Sequence, residues 1–256
     1  MLLDHATWVV VDSETTGCDA QRDKPVEIAA VRFNGIEEVE RWATLVNPGM
    51  PIPPQSSGIH HITDQDVAEA PCVSEALEKL EAFIRGSSMV VAHNAAFDQS
   101  FLTTISAPKP NGAGDIEWDW LCTYRLARHL LPNAPDHKLG TLRYLRKLPL
   151  KRQIGAHRAI DDVIVTAALT IDLVRLYESR FGRDLDVDEL LEFTHSPIWV
   201  RTWPFGKYFG CSIAGVPISY MRWALNNHDR LKRDPDLRST VESVVLRTAR
   251  TRAMAS

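Results

Sequence analysis

Asp12 and Glu14 stand two residues apart at the end of an apolar run, Trp8-Val9-Val10-Val11. Along a strand, side chains alternate between faces, so these two carboxylates emerge on the same side. Paired oxygen donors suit a hard divalent cation, Mg2+ or Mn2+. The same spacing also fits a solvated strand end, and alone it decides little. Asp98 follows a second apolar run, in His93-Asn94-Ala95-Ala96-Phe97-Asp98. There an acid in a first helical turn also complements the helix dipole. His157 opens His157-Arg158-Ala159-Ile160-Asp161-Asp162, at the entry to a long helical pattern, and periodicity does not choose between the two neighbouring aspartates. Carboxylates with a histidine beside them are equipment for cation-assisted hydrolysis, in which the histidine takes a proton from the attacking water.

The elements that must hold these residues can be read around them. Residues 8–13 form a buried strand, and 26–33 and 39–46 are further strands joined at Asn34-Gly35, a strong hairpin signal. Residues 47–57 carry four prolines and are expected to be irregular. A helix is expected over 74–85, opened by Ser74 and closed by Gly86, with a short strand over 89–92 and Asn94 capping the helix that carries Phe97. Residues 107–114 are a Pro/Gly-rich loop, 120–123 a strand and 124–131 a helix. Leu139, Leu142, Leu145 and Leu148 form an apolar stripe with Arg143, Arg146 and Lys147 between them, and the longest helix runs over 159–178. Antiparallel strands followed by strands alternating with helices give an α/β fold with a mixed sheet. A boundary is expected within 182–197. The organisation is then a catalytic domain over 1–181, a linker over 182–197 and a small basic, aromatic module over 198–256.

Composition narrows the class. The 256 residues are 45% hydrophobic and 24% charged, enough for one sizeable core and a satellite. With no basic leader and no apolar run near 20 residues, a membrane protein is excluded and a cytoplasmic location expected. Four scattered cysteines without CxxC pairs point to reduced thiols. The net charge of −4 is unevenly spread. Residues 1–120 hold seven Lys/Arg against nineteen Asp/Glu, 121–160 nine against one, 161–200 three against nine, and 201–256 ten against four. Lys138, Arg143, Arg146, Lys147, Lys151 and Arg152 can therefore track phosphates, or cover the leucine stripe with their stems. In the tail, Trp199, Trp203, Phe205, Tyr208 and Trp223 alternate with Arg201, Lys207 and Arg222. That mixture either stacks bases or forms a small core, and the core is favoured because a small module needs such residues inside.

Together the three motifs, VDSETTG, HNAAFD and HRAIDDVIVT, resemble the DEDD superfamily of 3′→5′ exonucleases, in the branch whose third motif carries histidine. The resemblance implies a ribonuclease H-like sheet, two Mg2+ or Mn2+ ions held by Asp12, Glu14, Asp98 and Asp162, and His157 as general base. It selects Asp162 over Asp161 by its spacing from His157. It also makes His60 (in GIHHIT) the matching substrate-side position; further substrate contacts are expected at Ser13, Thr15, Asn94 and Phe97, and phosphate contacts at Lys138, Arg143 and Lys147. WLCTYRLARHLLP and the FGKYFG and SYMRWALNN segments extend the likeness to one DNA-directed subgroup, over nearly the whole chain. The expected substrate is therefore a single- or double-stranded DNA 3′ end, released as nucleoside 5′-monophosphates in repair or end trimming. RNA trimming by the same residues, or a binding module without activity, are the alternatives. Two departures stand out: 107–114 is an expansion, and Phe209 and Cys211 occupy positions that are more basic in the subgroup.

Overall fold

The apolar run at Trp8 extends into β1 (Thr7–Thr15), which lies in the middle of a five-stranded sheet. The structure is a computed structural model and describes residues 2–103, 118–150, 158–181 and 186–254. The 107–114 loop, Lys151, Arg152 and His157 lie outside the described residues. β1 pairs antiparallel with β2 (Pro25–Asn34), which pairs antiparallel with β3 (Glu37–Leu45). On its other side β1 runs parallel to β4 (Met89–Ala92), and β4 parallel to β5 (Trp120–Cys122), giving the order β3-β2-β1-β4-β5. The expected mixed α/β sheet is what the chain forms. Asn34-Gly35 makes the β2–β3 turn, with Gly35 at φ +61, a conformation that only glycine adopts without penalty. β3 is an exposed edge strand bearing Glu37, Glu38 and Glu40.

Period-two alternation in β1 and β2 divides the core into two layers. Trp8, Val10, Ala29 and Val31 face a layer with Leu126 of α5 (Thr123–Leu130) and Val163, Leu169 and Leu173 of α7 (Ala159–Phe181). Val9, Val11, Ile28 and Ala30 face Leu80 and Ile84 of α3 (Val73–Ile84) and Leu102 of α4 (Ala95–Leu102). Burying each such side chain contributes roughly 1.5–3 kcal/mol, which explains why strands this apolar take the centre.

Local differences from expectation have simple causes. The proline-rich segment is not irregular throughout, because Pro53 is the N-cap of α1 (Pro54–His60) and Pro54 sits in its first turn. A fixed φ near −65° and a missing N–H are harmless there. A short α2 (Asp64–Val67) follows. α3 is capped at Cys72, whose N–H donates to Glu75 at 3.0 Å, rather than at Ser74. Asn94 is the N-cap of α4 but in the left-handed region, φ 69, and its side chain makes no capping bond. In α6 (Leu139–Leu145) Leu142 is buried whereas Leu145 is exposed, because the helix ends there. Lys147 turns left-handed, φ 50, and the Leu148 N–H reaches the Arg143 carbonyl at 3.1 Å.

Two compact units result, residues 1–194 and 195–256. The stretch 182–197, expected as a linker, contains α8 (Val187–His195), whose Leu190 and Leu191 are buried in the α5/α7 layer. The second unit holds α9 (Ile218–Asn227), α10 (Asp229–Arg233) and α11 (Pro235–Met254) around Trp203, Met221, Leu231, Leu237 and Val241. All four cysteines are unpaired, and among the described residues no helix is long and apolar enough to cross a membrane.

Candidate active site

β1 ends in a switch from valine to acid on one face. Asp12 and Glu14 continue the row of Trp8 and Val10, so they emerge on the side of the sheet covered by α7. Asp162 lies in the first turn of α7, and carboxylate oxygens of Asp12, Glu14 and Asp162 all lie within 4.8 Å of one another. Ser13 points to the opposite layer, and its hydroxyl donates to Asp98 of α4 at 2.7 Å. Asp98 is 2% exposed, so a carboxylate from the other layer is drawn to the same strand end. The four acids thus come from three elements and from both sides of one strand.

Crowding and burial act on protonation in the same direction. Asp12 is held well above the ordinary carboxylate range, first by burial and then by Asp98, Asp162 and Glu14. Glu14 is pushed up to about 7, again by burial and then by Asp162. Asp98 reaches about 7 through burial, with the Ser13 hydroxyl working the other way. Each ionised pair at such separations costs roughly 3–4 kcal/mol at an effective dielectric near 20. Oxygen donors that repel one another at such range fit a hard divalent cation, which offsets the repulsion and fills the shared space.

One acid in the site was not singled out from the sequence. Glu27 of β2 is paired directly across from Glu14 and is only 2% exposed. Its Oε1 accepts from the Arg158 guanidinium at 2.8 Å, and its Oε2 accepts from the Ala159 N–H at 3.1 Å, where α7 begins. Of two neighbouring glutamates, one is neutralised by an arginine and a helix N-terminus, while the other remains for a ligand. The signal was present in Val26-Glu27-Ile28-Ala29-Ala30, since a charge inside a wholly apolar strand must be paired.

The remaining expected residues divide into those beside the acids and those elsewhere. Thr15 is buried, with its hydroxyl donating to the Gly17 carbonyl at 2.6 Å. His60, expected on the substrate side, is 2% exposed, and its Nδ1 accepts from the Ile62 N–H at 3.1 Å. Burial lowers its pKa. Its ring is therefore enclosed by the fold rather than facing outward. Phe97 is half-buried against Phe101, with ring centroids 5.0 Å apart, and Asn94 is exposed at the start of α4. His93 is pushed down to about 4 by burial. Its Nε2 donates to the His137 carbonyl at 3.0 Å, which leaves Nδ1 to accept from the Thr123 hydroxyl at 2.9 Å. This ties the end of β4 to the start of α5. Lys138 and Lys147 are exposed and Arg143 is half-buried over Tyr144. Arg146, part of the expected basic track, is bound instead by Asp172 of α7 at 2.6 Å.

With this geometry established, likeness to known proteins places the chain. A family described as Exonuclease (RNase_T) matches residues 9–170. Exodeoxyribonuclease 10 of Escherichia coli strain K12 is 32% identical over 238 residues, covering 91% of this chain and 96% of that protein. DNA polymerase III subunit epsilon of Treponema pallidum is 33% identical over 183 residues, covering 70% of this chain and 81% of that one. Among solved structures, exonuclease X in complex with 5′-overhanging duplex DNA matches with a TM-score of 0.58 and 32% identity, over 73% of this chain and 99% of its own. A match over more than half the length, with the acids of its motifs converging at one strand end, makes this chain a member of the exonuclease family.

Proposed function

We propose that the chain is a 3′→5′ exonuclease that hydrolyses DNA phosphodiesters at 3′ ends with two Mg2+ or Mn2+ ions, releasing nucleoside 5′-monophosphates. The observation that carries this reading is the Asp12, Glu14 and Asp162 triplet, with oxygens within 4.8 Å, inside an exonuclease-family match. Relatives named for exodeoxyribonuclease activity, and one solved with duplex DNA, support DNA as the substrate.

Asp12, Glu14, Asp98 and Asp162 would hold the cations. When bound, such a pair supplies Lewis-acid chemistry, activating the attacking water and stabilising charge on the leaving 3′ oxygen. The chain supplies the rest. Ser13 fixes the rotamer of Asp98 through its 2.7 Å hydrogen bond. Glu27 and Arg158 anchor the start of α7, which sets the height of Asp162 above β1. His157, immediately before that anchor in sequence, accepts the water's proton, for which an ordinary histidine pKa near 6.5 is suited. Backbone near Glu14 and Thr15 holds the terminal 3′-hydroxyl, with Asn94 and Phe97 flanking the last nucleotide. Lys138, Arg143 and Lys147 draw in the phosphates of the strand behind it.

The test is direct. Single- and double-stranded DNA and RNA, labelled at the 5′ end, are incubated with and without Mg2+. A ladder shortening from the 3′ end in DNA, absent with chelator, is expected. Shortening from the 5′ end, cleavage in EDTA, or faster loss of RNA than DNA would overturn it.

A further inference from the structure

Residues 195–256 contain more aromatic surface than their core uses. Trp203 is fully buried, and Phe205, Tyr208 and Tyr220 pack against it. The expected small core therefore exists. Trp199, however, is 47% exposed, Trp223 49% and Phe209 74%. Exposed aromatics in a small module are an uncompensated loss of burial unless something else covers them.

Trp199 is carried on an anchored backbone. The N–H groups on either side of it are fixed to α11, with Ile198 donating to the buried Asp236 at 3.0 Å and Val200 to Thr240 at 2.9 Å. The indole is presented at a cavity of about 720 Å³ whose walls include Arg201, Thr202, Ser212, Ile213 and Val244. Those walls are braced by the antiparallel bridge between Thr202 and Ser212 and by the Ile213 N–H bonded to the Arg201 carbonyl at 2.8 Å. The volume lies in the range that accepts small organic groups, roughly 300–1,000 Å³. The lining combines aliphatic Ile213 and Val244, hydroxyl-bearing Thr202 and Ser212, and the basic Arg201. Arg247 adds a second guanidinium 5.9 Å from the Trp199 ring.

Charge selects the occupant. The unit carries ten Lys/Arg against four Asp/Glu, in a chain whose net charge is −4. Its acids are engaged locally. Asp229 binds Lys232 and Glu242 binds Arg238, while Asp234 and Asp236 accept backbone N–H groups. An indole carried on an anchored backbone, with guanidiniums and hydroxyls in the same recess, is the equipment that stacks one base and binds its phosphate. A paired base in a duplex offers no free face to such a ring.

We infer that the Trp199 cavity is a nucleic-acid site, separate from the carboxylate site, that takes an unpaired nucleobase on the indole and its phosphate at Arg201. The inference does not depend on hydrolysis, so it is tested in EDTA with the full chain. An oligothymidylate carrying 5-iodouracil is photo-crosslinked and the adduct mapped by mass spectrometry, while affinity is followed by fluorescence anisotropy. Crosslinking at Trp199 is expected, with affinity for single strands falling roughly 5- to 100-fold in Trp199→Ala and largely restored in Trp199→Phe. Arg201→Gln should flatten the salt dependence without abolishing the crosslink. Crosslinks confined to residues 1–194 together with unchanged affinity in Trp199→Ala would overturn the inference, as would an equal loss of affinity for blunt duplex. Because Trp199 lies outside the buried core, near-ultraviolet circular dichroism of each variant separates loss of the site from loss of the fold.

Discussion

Acids crowded at the end of β1 should make the cation-free protein less stable as pH rises, and a divalent cation should reverse that trend. Asp98, moved from 3.8 to about 7, corresponds to roughly 4 kcal/mol at about 1.4 kcal/mol per tenfold change in proton affinity. Glu14, moved from 4.5 to about 7, corresponds to roughly 3 kcal/mol before screening by the solvent that still reaches it, and nearer 2 after. The two share neighbours, so these penalties overlap and a total near 4 kcal/mol is expected. In the unfolded chain both acids ionise near pH 4, whereas in the fold they hold their protons to about 7. Across that window the native state binds more protons, so its stability falls as pH rises and stays low above it. A cation binds the ionised native site, so its stabilisation grows across the same window. At a hundredfold excess over Kd it contributes about 2.7 kcal/mol, or roughly 5–10 °C in Tm for a unit of this size. Scanning calorimetry at pH 5, 6, 7 and 8, in EDTA and in Mg2+ or Mn2+, reads the difference directly. A small rise at pH 5 and a large one at pH 8 is expected, lost in Asp12→Asn. Equal rises at both pH values, or a rise that survives that substitution, would refute the electrostatic account.

Three further outcomes follow from the same geometry. Glu27→Gln removes the acceptor of the Arg158 and Ala159 bonds, and because Arg158 is half-exposed and rehydrates, the loss should be about 1–3 kcal/mol, read as a lower denaturation midpoint. Its kcat should fall further than its cation affinity, which loses at most one negative neighbour already paired with Arg158; an unchanged kcat would count against the anchoring role. His157→Ala should keep the cation-induced rise in Tm while losing roughly 10²–10⁴ in rate, and full turnover would remove it from the mechanism. Replacing Lys138, Arg143 and Lys147 together by glutamine should reduce the slope of log affinity against log salt by roughly 2–3, whereas an unchanged slope would assign these residues to the surface alone.

The parts of the site legible in the sequence were those governed by local periodicity. Asp12 and Glu14 share a face because strands alternate, Asn34-Gly35 makes a hairpin because few other pairs tolerate its backbone, and α7 was visible as a long apolar repeat. What escaped depended on partners far along the chain. Glu27 meets Arg158 across 131 positions, and Arg146 meets Asp172 across 26, so neither the anchor nor the loss of one residue from the basic track has a local signature. His60 sits in a motif that resembles a substrate loop, yet its burial is decided by the fold around it. The division at 194/195 falls inside the expected 182–197, but most of α8, just before it, belongs to the first unit, since Leu190 and Leu191 are buried in that unit's core.

The exposed edge at β3 has a consequence for how copies of this chain meet. An unpaired strand of nine residues offers its backbone to any other strand, including its own counterpart. Glu37, Glu38 and Glu40 set acids along that rim, and Glu40 is held by Arg32 from the neighbouring strand. Glu37, Glu38 and Glu40 gather at one end of the rim, so pairing is disfavoured in the registers that set those acidic ends against each other.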